Sequence, residues 1–251
     1  MNIRKIIKDR IKQSPLLHAI VHNRFIDFHH WDLNRFIQQE AAKILPGSTV
    51  IDIGAGELRY KHHFAHCKYK SNDLAVGDLN WDYSNIDILS SAYSIPVEDN
   101  SFDVVMLTQV LEHLEYPDRA LNEIGRILKP GGILILTAPL SFEEHQVPHD
   151  FFRFTRYGLK SLGARNNLTL SKIVPQGGIF TNLETCFWCS VWTISPFKRH
   201  STMRYLFSAL VLPFKFLTGL LAYCLDGLDK NKPFTINYKA NYINTKESPL
   251  N

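Results

Sequence analysis

The stretch Val50-Ile51-Asp52-Ile53-Gly54-Ala55-Gly56-Glu57 decides the fold that we expect for this chain. Its β-branched residues predict a short buried strand over residues 49–53. Gly54 and Gly56 follow where the chain must turn towards a helix, and glycine allows a backbone to approach a ligand closely. Since open α/β sheets bind ligands at the carboxyl ends of their strands, we expect a binding site at this turn.

Two further positions narrow the class of ligand. The fingerprint of dinucleotide-binding proteins has a third glycine where this chain has Arg59, which favours a nucleoside without a pyrophosphate. Asp73 follows Asp52 by 21 positions and ends the second predicted strand. A carboxylate there can accept two hydrogen bonds from a ribose diol, whereas the alternative is an ordinary solvated loop aspartate.

Strand and helix patterns alternate on either side of this turn. A helix is predicted over residues 116–128, because Pro117 suits a first turn and Asp118 complements the positive end of the helix dipole. The stretch Lys129-Pro130-Gly131-Gly132 is expected to end that helix. Strands are predicted at residues 49–53, 68–73, 86–89, 102–107 and 133–137. This alternation predicts an α/β fold with a doubly wound, mostly parallel sheet.

The rest of the chain completes the predicted architecture. Residues 1–46 are expected to form an N-terminal helical segment, which Pro46-Gly47 closes, and residues 47–251 the main domain. The later predicted elements are a helix at 156–165, strands at 168–174 and 234–243, and an apolar helical insertion at about 203–228. We therefore expect a seven-stranded sheet that ends in a C-terminal β-hairpin and has helices on both faces.

The composition is that of a folded domain. The chain has 251 residues, of which 45% are hydrophobic and 21% charged, enough apolar side chains for a sizeable core. A formal charge of +4 is too small to indicate nucleic-acid binding. Four cysteines in a chain of this length form no disulfide framework, and no signal peptide is recognised, so a cytoplasmic location is expected.

The longest informative stretch begins at Ser94 and ends at Gly132. Its matching parts are Ser94-Ile95-Pro96, Ser101-Phe102-Asp103, Leu111-Glu112-His113 and Arg126-Ile127-Leu128-Lys129-Pro130-Gly131-Gly132. Together with the glycine turn, this stretch resembles the class I S-adenosylmethionine-dependent methyltransferases over residues 50 to about 140. The resemblance implies a Rossmann-like domain, S-adenosylmethionine as the cofactor, and methyl transfer to a small molecule.

The resemblance also implies which residues contact the cofactor. The glycine turn would line the methionine part, Asp73 would hold the ribose hydroxyls, and Leu74 would lie against the adenine. Thr108 and Gln109 would face the sulfonium end. The implied cofactor-binding residues are Asp52, Gly54, Ala55, Gly56, Asp73, Leu74, Ser91, Ala92, Thr108 and Gln109.

This chain departs from the family pattern at two places. Glu57-Leu58 stands where the family usually has glycine or another small residue. Ser91 stands where the family commonly has an aspartate that contacts the adenine edge. A serine can still hydrogen-bond the adenine, and Asp87, four positions earlier, is a nearby substitute.

A more local resemblance covers residues 145–155, which are similar to a methyltransferase subgroup with an Asp-aromatic-aromatic-Arg-Phe-Thr segment over the acceptor pocket. We expect at least one of His145, His149 and Arg153 to contact a small-molecule or saccharide-like acceptor. The alternative is structural, in which Arg153 pairs with Asp150 and the phenylalanines belong to the core.

Three histidines are the candidate catalytic bases. A hydroxyl acceptor needs a base near its proton, and imidazole titrates near neutrality. The candidates are His113, His145 and His149, and each has a structural role as its alternative.

No metal site is predicted from the ligand spacing. The pair Cys186 and Cys189 lacks the second pair that a tetrahedral zinc site needs, and it lacks a thioredoxin-like context. The cluster of His62, His63, His66 and Cys67 matches no usual spacing of metal ligands.

The apolar segment at residues 203–228 can be interpreted either as a protein-packed helical region or as a membrane contact. Between Tyr205 and Leu225 the only charge is Lys215, which would be costly at the centre of a membrane-spanning helix. We expect a buried or surface-docked helical pair, or a homodimer interface, ahead of a peripheral membrane contact.

The predicted function is therefore S-adenosylmethionine-dependent methyl transfer to a small-molecule or glycan acceptor. Three alternatives stay open: a non-catalytic methyltransferase-like binding module, a nicotinamide-dependent oxidoreductase, and a membrane-associated scaffold that uses residues 203–228.

Overall fold

Strands and helices alternate along the backbone of this chain. The structure is a computed structural model that describes residues 10, 14, 16, 19–20, 22–77, 81–197 and 201–246. The strands are β1 (Thr49–Ile53), β2 (Lys68–Asp73), β3 (Ile88–Leu89), β4 (Phe102–Thr108), β5 (Leu128–Pro139), β6 (Leu168–Gln176) and β7 (Asn237–Asn244). The helices are α1 (Phe28–Ala41), α2 (Pro117–Ile127), α3 (Arg156–Arg165), α4 (Ile179–Ile194) and α5 (Thr202–Leu225). Short 3-10 helices lie at Lys61–Phe64 and Leu111–His113.

The seven strands form one sheet in the order β3-β2-β1-β4-β5-β7-β6. Strands β3, β2, β1, β4 and β5 pair in parallel, and β7 pairs antiparallel with β5. The strand order reverses between β1 and β4, and in open α/β sheets this is the place where ligands bind. The predicted doubly wound, mostly parallel seven-stranded sheet is confirmed.

Both faces of the sheet are covered. On β4, Val105 and Leu107 point into a core that contains the apolar residues of α2 and α3. Val104 and Met106 point to the other face, where α1 and the buried Phe64 pack. Burial on both faces explains why β4 reads as a continuous apolar run rather than an alternating one.

The chain divides into two compact units. The helical unit comprises residues 1–34 and 176–236, and the sheet unit comprises residues 35–175 and 237–251. This division differs from the predicted boundary after residue 46. Most of the predicted helical pattern in residues 1–21 lies outside the described residues.

The helical insertion lies between the last two strands, β6 and β7, in the sequence. The amide of Ile236 donates to the carbonyl of Gln176, and the amide of Thr245 donates to that of Asn167, so β6 and β7 run antiparallel. The insertion begins just after β6, since both α4 and α5 lie between β6 and β7. It is therefore longer than the predicted insertion at residues 203–228.

Three local details differ from the prediction. Helix α2 ends at Ile127, as the stretch from Lys129 predicts, but that stretch belongs to β5, which begins at Leu128 instead of residue 133 and pairs Leu128 with Phe102. The third strand is only Ile88–Leu89. The chain after the glycine turn forms the 3-10 helix Lys61–Phe64 instead of an α-helix, and its buried Phe64 packs in the core beside α1.

The apolar segment at residues 203–228 is mostly exposed, so of the two expected placements the surface-docked one is found, with α5 packed against α4. Helix α5 is one continuous helix of 24 residues with Pro213 inside it. Only 6% of its most apolar window is buried, and among the described residues it is the one helix long and apolar enough to cross a membrane. Its large apolar side chains, such as Leu210 at 78% exposure, face outwards.

Candidate cofactor and acceptor site

The loop after β1 folds back onto the end of β2. Gly54 and Gly56 have φ values of +71° and +51°, a left-handed conformation that favours glycine. The amides of Gly54 and Ala55 donate to the carbonyl of Asn72 at 2.8 and 3.1 Å. The glycine loop and the end of β2 are thus brought together at the carboxyl edge of the sheet.

The carboxylate of Asp73 joins these two segments directly. Its Oδ2 accepts the amide of Gly56 at 2.9 Å, and its Oδ1 accepts the amide of Ala75 at 2.7 Å. An ionised carboxylate has about four lone-pair positions, so each oxygen of Asp73 can accept one more hydrogen bond. This side chain can therefore hold the loop and a vicinal diol at the same time.

Two apolar side chains close around the glycine loop. A Cβ atom added to Gly54 would lie 2.4 Å from Cγ2 of Val110, and one added to Gly56 would lie 2.8 Å from the ring of Trp81. Neither Val110 nor Trp81 was expected from the sequence, because each is far from the loop along the chain. They leave no room for a side chain at either glycine.

The carboxyl group of Asp52 links β1 to β2 beneath this loop. Tyr69 donates its hydroxyl to Oδ2 of Asp52 at 2.8 Å, and Asp52 is 3% exposed. Burial raises the pKa of Asp52 to about 7, the Tyr69 hydrogen bond opposes that rise, and the charge of Asp73 adds to it. The predicted contact of Asp52 with the cofactor stays a prediction.

The residues expected around the adenine differ in their surroundings. Leu74 is 53% exposed next to Asp73, as an adenine-covering residue would be, and Ala92 is 8% exposed within the core. The Oγ of Ser91 accepts a local backbone hydrogen bond of 3.2 Å. Oδ2 of Asp87 accepts both the amide and the hydroxyl of Ser71, which favours a structural role for Asp87 over an adenine contact.

The carboxyl end of β4 carries Thr108 and Gln109. The hydroxyl of Thr108 is buried and has no hydrogen-bond partner among the described residues. Gln109 has a φ of +56° and donates its side-chain amide to Oγ1 of Thr137 at 3.1 Å. The backbone at Gln109 therefore turns sharply just beyond the strand, and Thr108 keeps a polar group available there.

Two of the three candidate bases lie together, and the third does not. The rings of His113 and His145 are 4.7 Å apart, whereas the side chain of His149 is exposed and its carbonyl accepts from His113 Nδ1 at 2.5 Å. Burial lowers the pKa of His113. The geometry therefore favours His113 and His145 over His149 as functional side chains.

Glu112, which lies beside His113, was not among the functional residues expected from the sequence. Its side chain is completely buried, and burial raises the pKa of Glu112 to about 8. Neither of its carboxyl oxygens has a hydrogen-bond partner among the described residues. A buried, unpartnered acid next to two histidines is a common feature of functional sites; the signal in the sequence was its position in the Leu-Glu-His motif.

Arg153 organises the loop that carries His145. Its guanidinium forms a fork with both carboxylate oxygens of Asp150, at 2.6 and 2.8 Å. Its remaining donors bind the carbonyls of Phe142, Glu143 and Phe152. Since all five N–H groups of an arginine are used inside the loop, the structural interpretation of Arg153 is favoured over acceptor contact.

The central part of the chain matches a known family model. Residues 51–136 match the model described as "Methyltransferase domain". A ubiquinone/menaquinone biosynthesis C-methyltransferase, UbiE, of Hydrogenovibrio crunogenus is 29% identical over 135 residues, which cover 46% of this chain and 52% of that protein. UbiE of Burkholderia mallei is 28% identical over 127 residues. The chain thus spans about half the length of the curated relatives it matches.

Solved structures show the same fold at low sequence identity. The phosphoethanolamine N-methyltransferase 2 of Haemonchus contortus, solved with S-adenosylhomocysteine, has a TM-score of 0.53 at 14% identity and covers 86% of this chain and 53% of its own. The 1,6-didemethyltoxoflavin-N1-methyltransferase of Burkholderia thailandensis has a TM-score of 0.51 at 13% identity and covers 93% and 91%. The 4+2 cyclase SpnF scores 0.55 at 17% identity and covers 86% and 82%. The predicted resemblance to methyltransferases is confirmed over residues 51–136, and these solved structures show that the chain shares their fold.

Proposed function

We propose that this chain, whose residues 51–136 form a class I methyltransferase domain, transfers a methyl group from S-adenosylmethionine to a small-molecule acceptor. One observation carries the proposal. The glycine loop at residues 54–56 and the carboxylate of Asp73 meet at the point where the strand order reverses, within hydrogen-bonding distance of each other. That arrangement supports binding of a nucleoside whose ribose lies against Asp73.

The rest of the proposed cofactor site follows from this arrangement. The ribose hydroxyls donate to Asp73, and the adenine lies beside Leu74 and Ser91. The methionine part lies along the glycine loop above Asp52, where a carboxylate suits the positive charges of the sulfonium and amino groups. Thr108 and Gln109 lie at the methyl end, and the unpartnered hydroxyl of Thr108 gains a partner from the bound cofactor or acceptor.

The reaction asks mainly for positioning. The sulfonium is already an activated methyl donor, so the rate depends on holding the acceptor atom, the methyl carbon and the sulfur in line. The loop at residues 142–153, which Arg153 and Asp150 hold together, is proposed to cover the acceptor. His113 and His145 are the polar groups that this loop and the turn after β4 bring together.

For the acceptor we propose a small hydroxylated molecule, with saccharides as one class. A hydroxyl acceptor requires removal of a proton, for which His113 or His145 is the candidate base. The relatives with methyltransferase names support a small-molecule acceptor in general, since they act on quinone precursors, phosphoethanolamine derivatives and a toxoflavin precursor according to their names.

Isothermal titration of the full chain with S-adenosylhomocysteine tests the proposal. We expect binding of one equivalent, and NAD should show no competing affinity. Methyl transfer from labelled S-adenosylmethionine to a panel of hydroxylated small molecules and saccharides then identifies the acceptor. A chain that binds S-adenosylhomocysteine but methylates nothing supports the non-catalytic binding module, and a chain that binds only NAD supports the oxidoreductase.

A second proposal concerns location, and the exposed face of α5 carries it. Met203, Leu206, Leu210, Leu217 and Leu221 recur at helical spacing, and each is at least 59% exposed. Lys215, the only charge between Tyr205 and Leu225, turns away from this face towards the ring of Trp188 on α4, at 5.8 Å. The outward face of α5 is therefore apolar along its length.

We propose that this face lies in the plane of an anionic membrane surface, as a peripheral contact. A helix with one apolar face and cations at its ends is typical of interfacial helices. The sequence has Lys198 and Arg199 before α5 and Lys230 and Lys232 after it, and basic residues next to such a segment favour anionic lipids. Co-sedimentation with phosphatidylglycerol vesicles is the expected result; a chain that stays in the supernatant and sediments as a dimer would assign the face to a second copy instead.

A further inference from the structure

Three side chains with metal-binding atoms meet just beyond the carboxyl end of β4. Glu112 and His113 belong to the 3-10 helix Leu111–His113, and His145 comes from the loop after β5. One ligand atom from each of these residues lies within 4.8 Å of the other two. Glu112 and His113 are neighbours in the chain, and folding brings His145 to them from a later loop.

The carboxyl group of Glu112 is the most unusual member of this cluster. It is completely buried, and neither oxygen has a hydrogen-bond partner among the described residues. Leaving a buried polar group without a partner costs about 1–3 kcal/mol, and more for a charged group. Arg153 interacts electrostatically with Glu112 but donates no hydrogen bond to it, because its five donors already bind Asp150 and backbone carbonyls.

Both imidazoles are oriented as in metal sites. His113 Nδ1 lies 2.5 Å from the carbonyl of His149, and His145 Nδ1 lies 3.0 Å from the carbonyl of Glu143 and 3.4 Å from Asp150. A carbonyl can only accept, so Nδ1 carries the proton in each ring and Nε2 presents a lone pair. Histidine ligands of metals usually donate their second nitrogen to a carbonyl or a carboxylate in this way.

A hydrogen bond between Glu112 and His113 does not account for the cluster. His113 Nε2 lies 3.9 Å from Oε1 of Glu112, which is too long for a hydrogen bond. Nε2 of His113 is buried and has no hydrogen-bond partner among the described residues. The site therefore combines Glu112 and His113, whose buried polar atoms have no hydrogen-bond partner among the described residues, with the nearby imidazole of His145.

We propose that Glu112, His113 and His145 bind one divalent transition-metal ion of the zinc type. Two imidazoles and one carboxylate form a three-ligand set that leaves a coordination position open for a further oxygen. Nitrogen ligands favour zinc and its neighbours over magnesium and calcium, which prefer oxygen. Zinc–ligand bonds of about 2.1 Å require ligand atoms about 3.4 Å apart, so the side chains move together by roughly an ångström on binding.

The metal deepens the proposed function, on which this step rests. A hydroxyl oxygen of the acceptor would occupy the open position, where the metal lowers the pKa of that hydroxyl. The proton leaves to water, the oxygen forms a bond to the methyl carbon, and the carbon–sulfur bond breaks to give S-adenosylhomocysteine. The ion would thus favour loss of the hydroxyl proton at neutral pH more than a lone histidine base does.

Metal binding to the untagged full chain tests the proposal without any assay of activity. After dialysis against chelator, titration with Zn²⁺ should show one tight site, Co²⁺ should give visible absorption bands at one equivalent, and Mg²⁺ should not compete. His145→Ala should weaken Zn²⁺ binding by at least about 100-fold, since it removes a direct ligand. Its matched control is His149→Ala, because the exposed His149 contributes only its backbone carbonyl and this variant should bind as the wild type does.

Several results would overturn the assignment. They are a wild-type chain that binds no Zn²⁺ or Co²⁺, equal affinity in His145→Ala and wild type, or equal loss in His149→Ala and His145→Ala. Glu112→Gln is a second variant that removes a ligand. Its Zn²⁺ affinity is interpreted only if its circular dichroism spectrum matches that of the wild type. Affinity for S-adenosylhomocysteine is measured separately: a chain that binds zinc but not S-adenosylhomocysteine refutes the proposed function and leaves the metal site standing.

Discussion

At the residue scale, the carboxylate of Asp73 does two kinds of work. It binds the glycine loop through the amide of Gly56 and the turn after β2 through the amide of Ala75, and each oxygen can accept one more hydrogen bond, which we propose comes from a ribose. Asp73→Ala should weaken the binding of S-adenosylhomocysteine by about 1.5–3 kcal/mol, or roughly 10- to 150-fold, the range for hydrogen bonds to charged groups. Isothermal titration measures this change.

The control for Asp73 is Asp87→Asn. Asp87 is also a carboxylate in this part of the sheet, but it binds Ser71 and does not touch the glycine loop. This variant should lower the free energy of unfolding while its affinity for S-adenosylhomocysteine stays unchanged. Equal affinity in Asp73→Ala and wild type would remove the ribose contact from the proposed site.

Asp52 makes the stability depend on pH. Its pKa rises from near 3.8 to about 7 on folding, so the folded state holds a proton that the unfolded state has lost between these values. The stabilisation is fully present below the unfolded value and is lost as the pH rises through about 7, by up to about 1.4 kcal/mol per pH unit. Asp52→Asn removes this dependence.

Urea unfolding at pH 4.5, 6 and 7.5 checks this prediction for Asp52. The variant should gain stability relative to the wild type as the pH rises across this range, and the difference should level off above about pH 7. Parallel stability curves for the two proteins would mean that Asp52 titrates alike in the folded and unfolded states.

At the scale of elements, the glycine loop is fixed by its packing against the residues after β4. Gly54→Ala places a Cβ atom 2.4 Å from Val110 and forces a left-handed φ of +71° on alanine. Overpacking and backbone strain each cost about 1–3 kcal/mol. We expect this variant to lose about 2–4 kcal/mol of unfolding free energy, measured by chemical denaturation.

A double variant separates the two causes. Val110→Ala removes the atoms that meet the new Cβ but leaves the φ unchanged, so Gly54→Ala/Val110→Ala should be more stable than the sum of the two single changes predicts. Strict additivity would show that the loop relaxes away from Val110 and that strain alone accounts for the loss.

At the scale of the whole molecule, the exposed face of α5 bears on where the protein acts. Leu210→Glu changes a side chain that is 78% exposed on this face, and Leu45→Glu makes the same change at 75% exposure in the sheet unit. We expect Leu210→Glu to reduce co-sedimentation with anionic vesicles several-fold, because a charge is costly in the acyl region. Leu45→Glu should bind as the wild type does, and equal losses in both variants would point to a general loss of solubility.

Much of the sheet was predictable because its signals are local. A run of apolar and β-branched residues identifies β1 and β4, and Pro117 with Asp118 marks the start of α2. The glycine turn and Asp73 could be assigned to one site because parallel strands end at the same edge. The choice between burial and surface docking of α5 could not be made, since an apolar composition does not say whether the rest of the chain covers the helix.

The amino-acid sequence alone determined the resemblance to methyltransferases, the mostly parallel sheet, and the meeting of the glycine loop with Asp73, since each depends on residues close in the chain or on the rule for parallel strands. Only the tertiary structure decided that Glu112 is buried without a partner, that His145 rather than His149 joins His113, and that α5 is exposed. Burial and side-chain direction depend on contacts between residues distant in the chain, and no local pattern records those contacts.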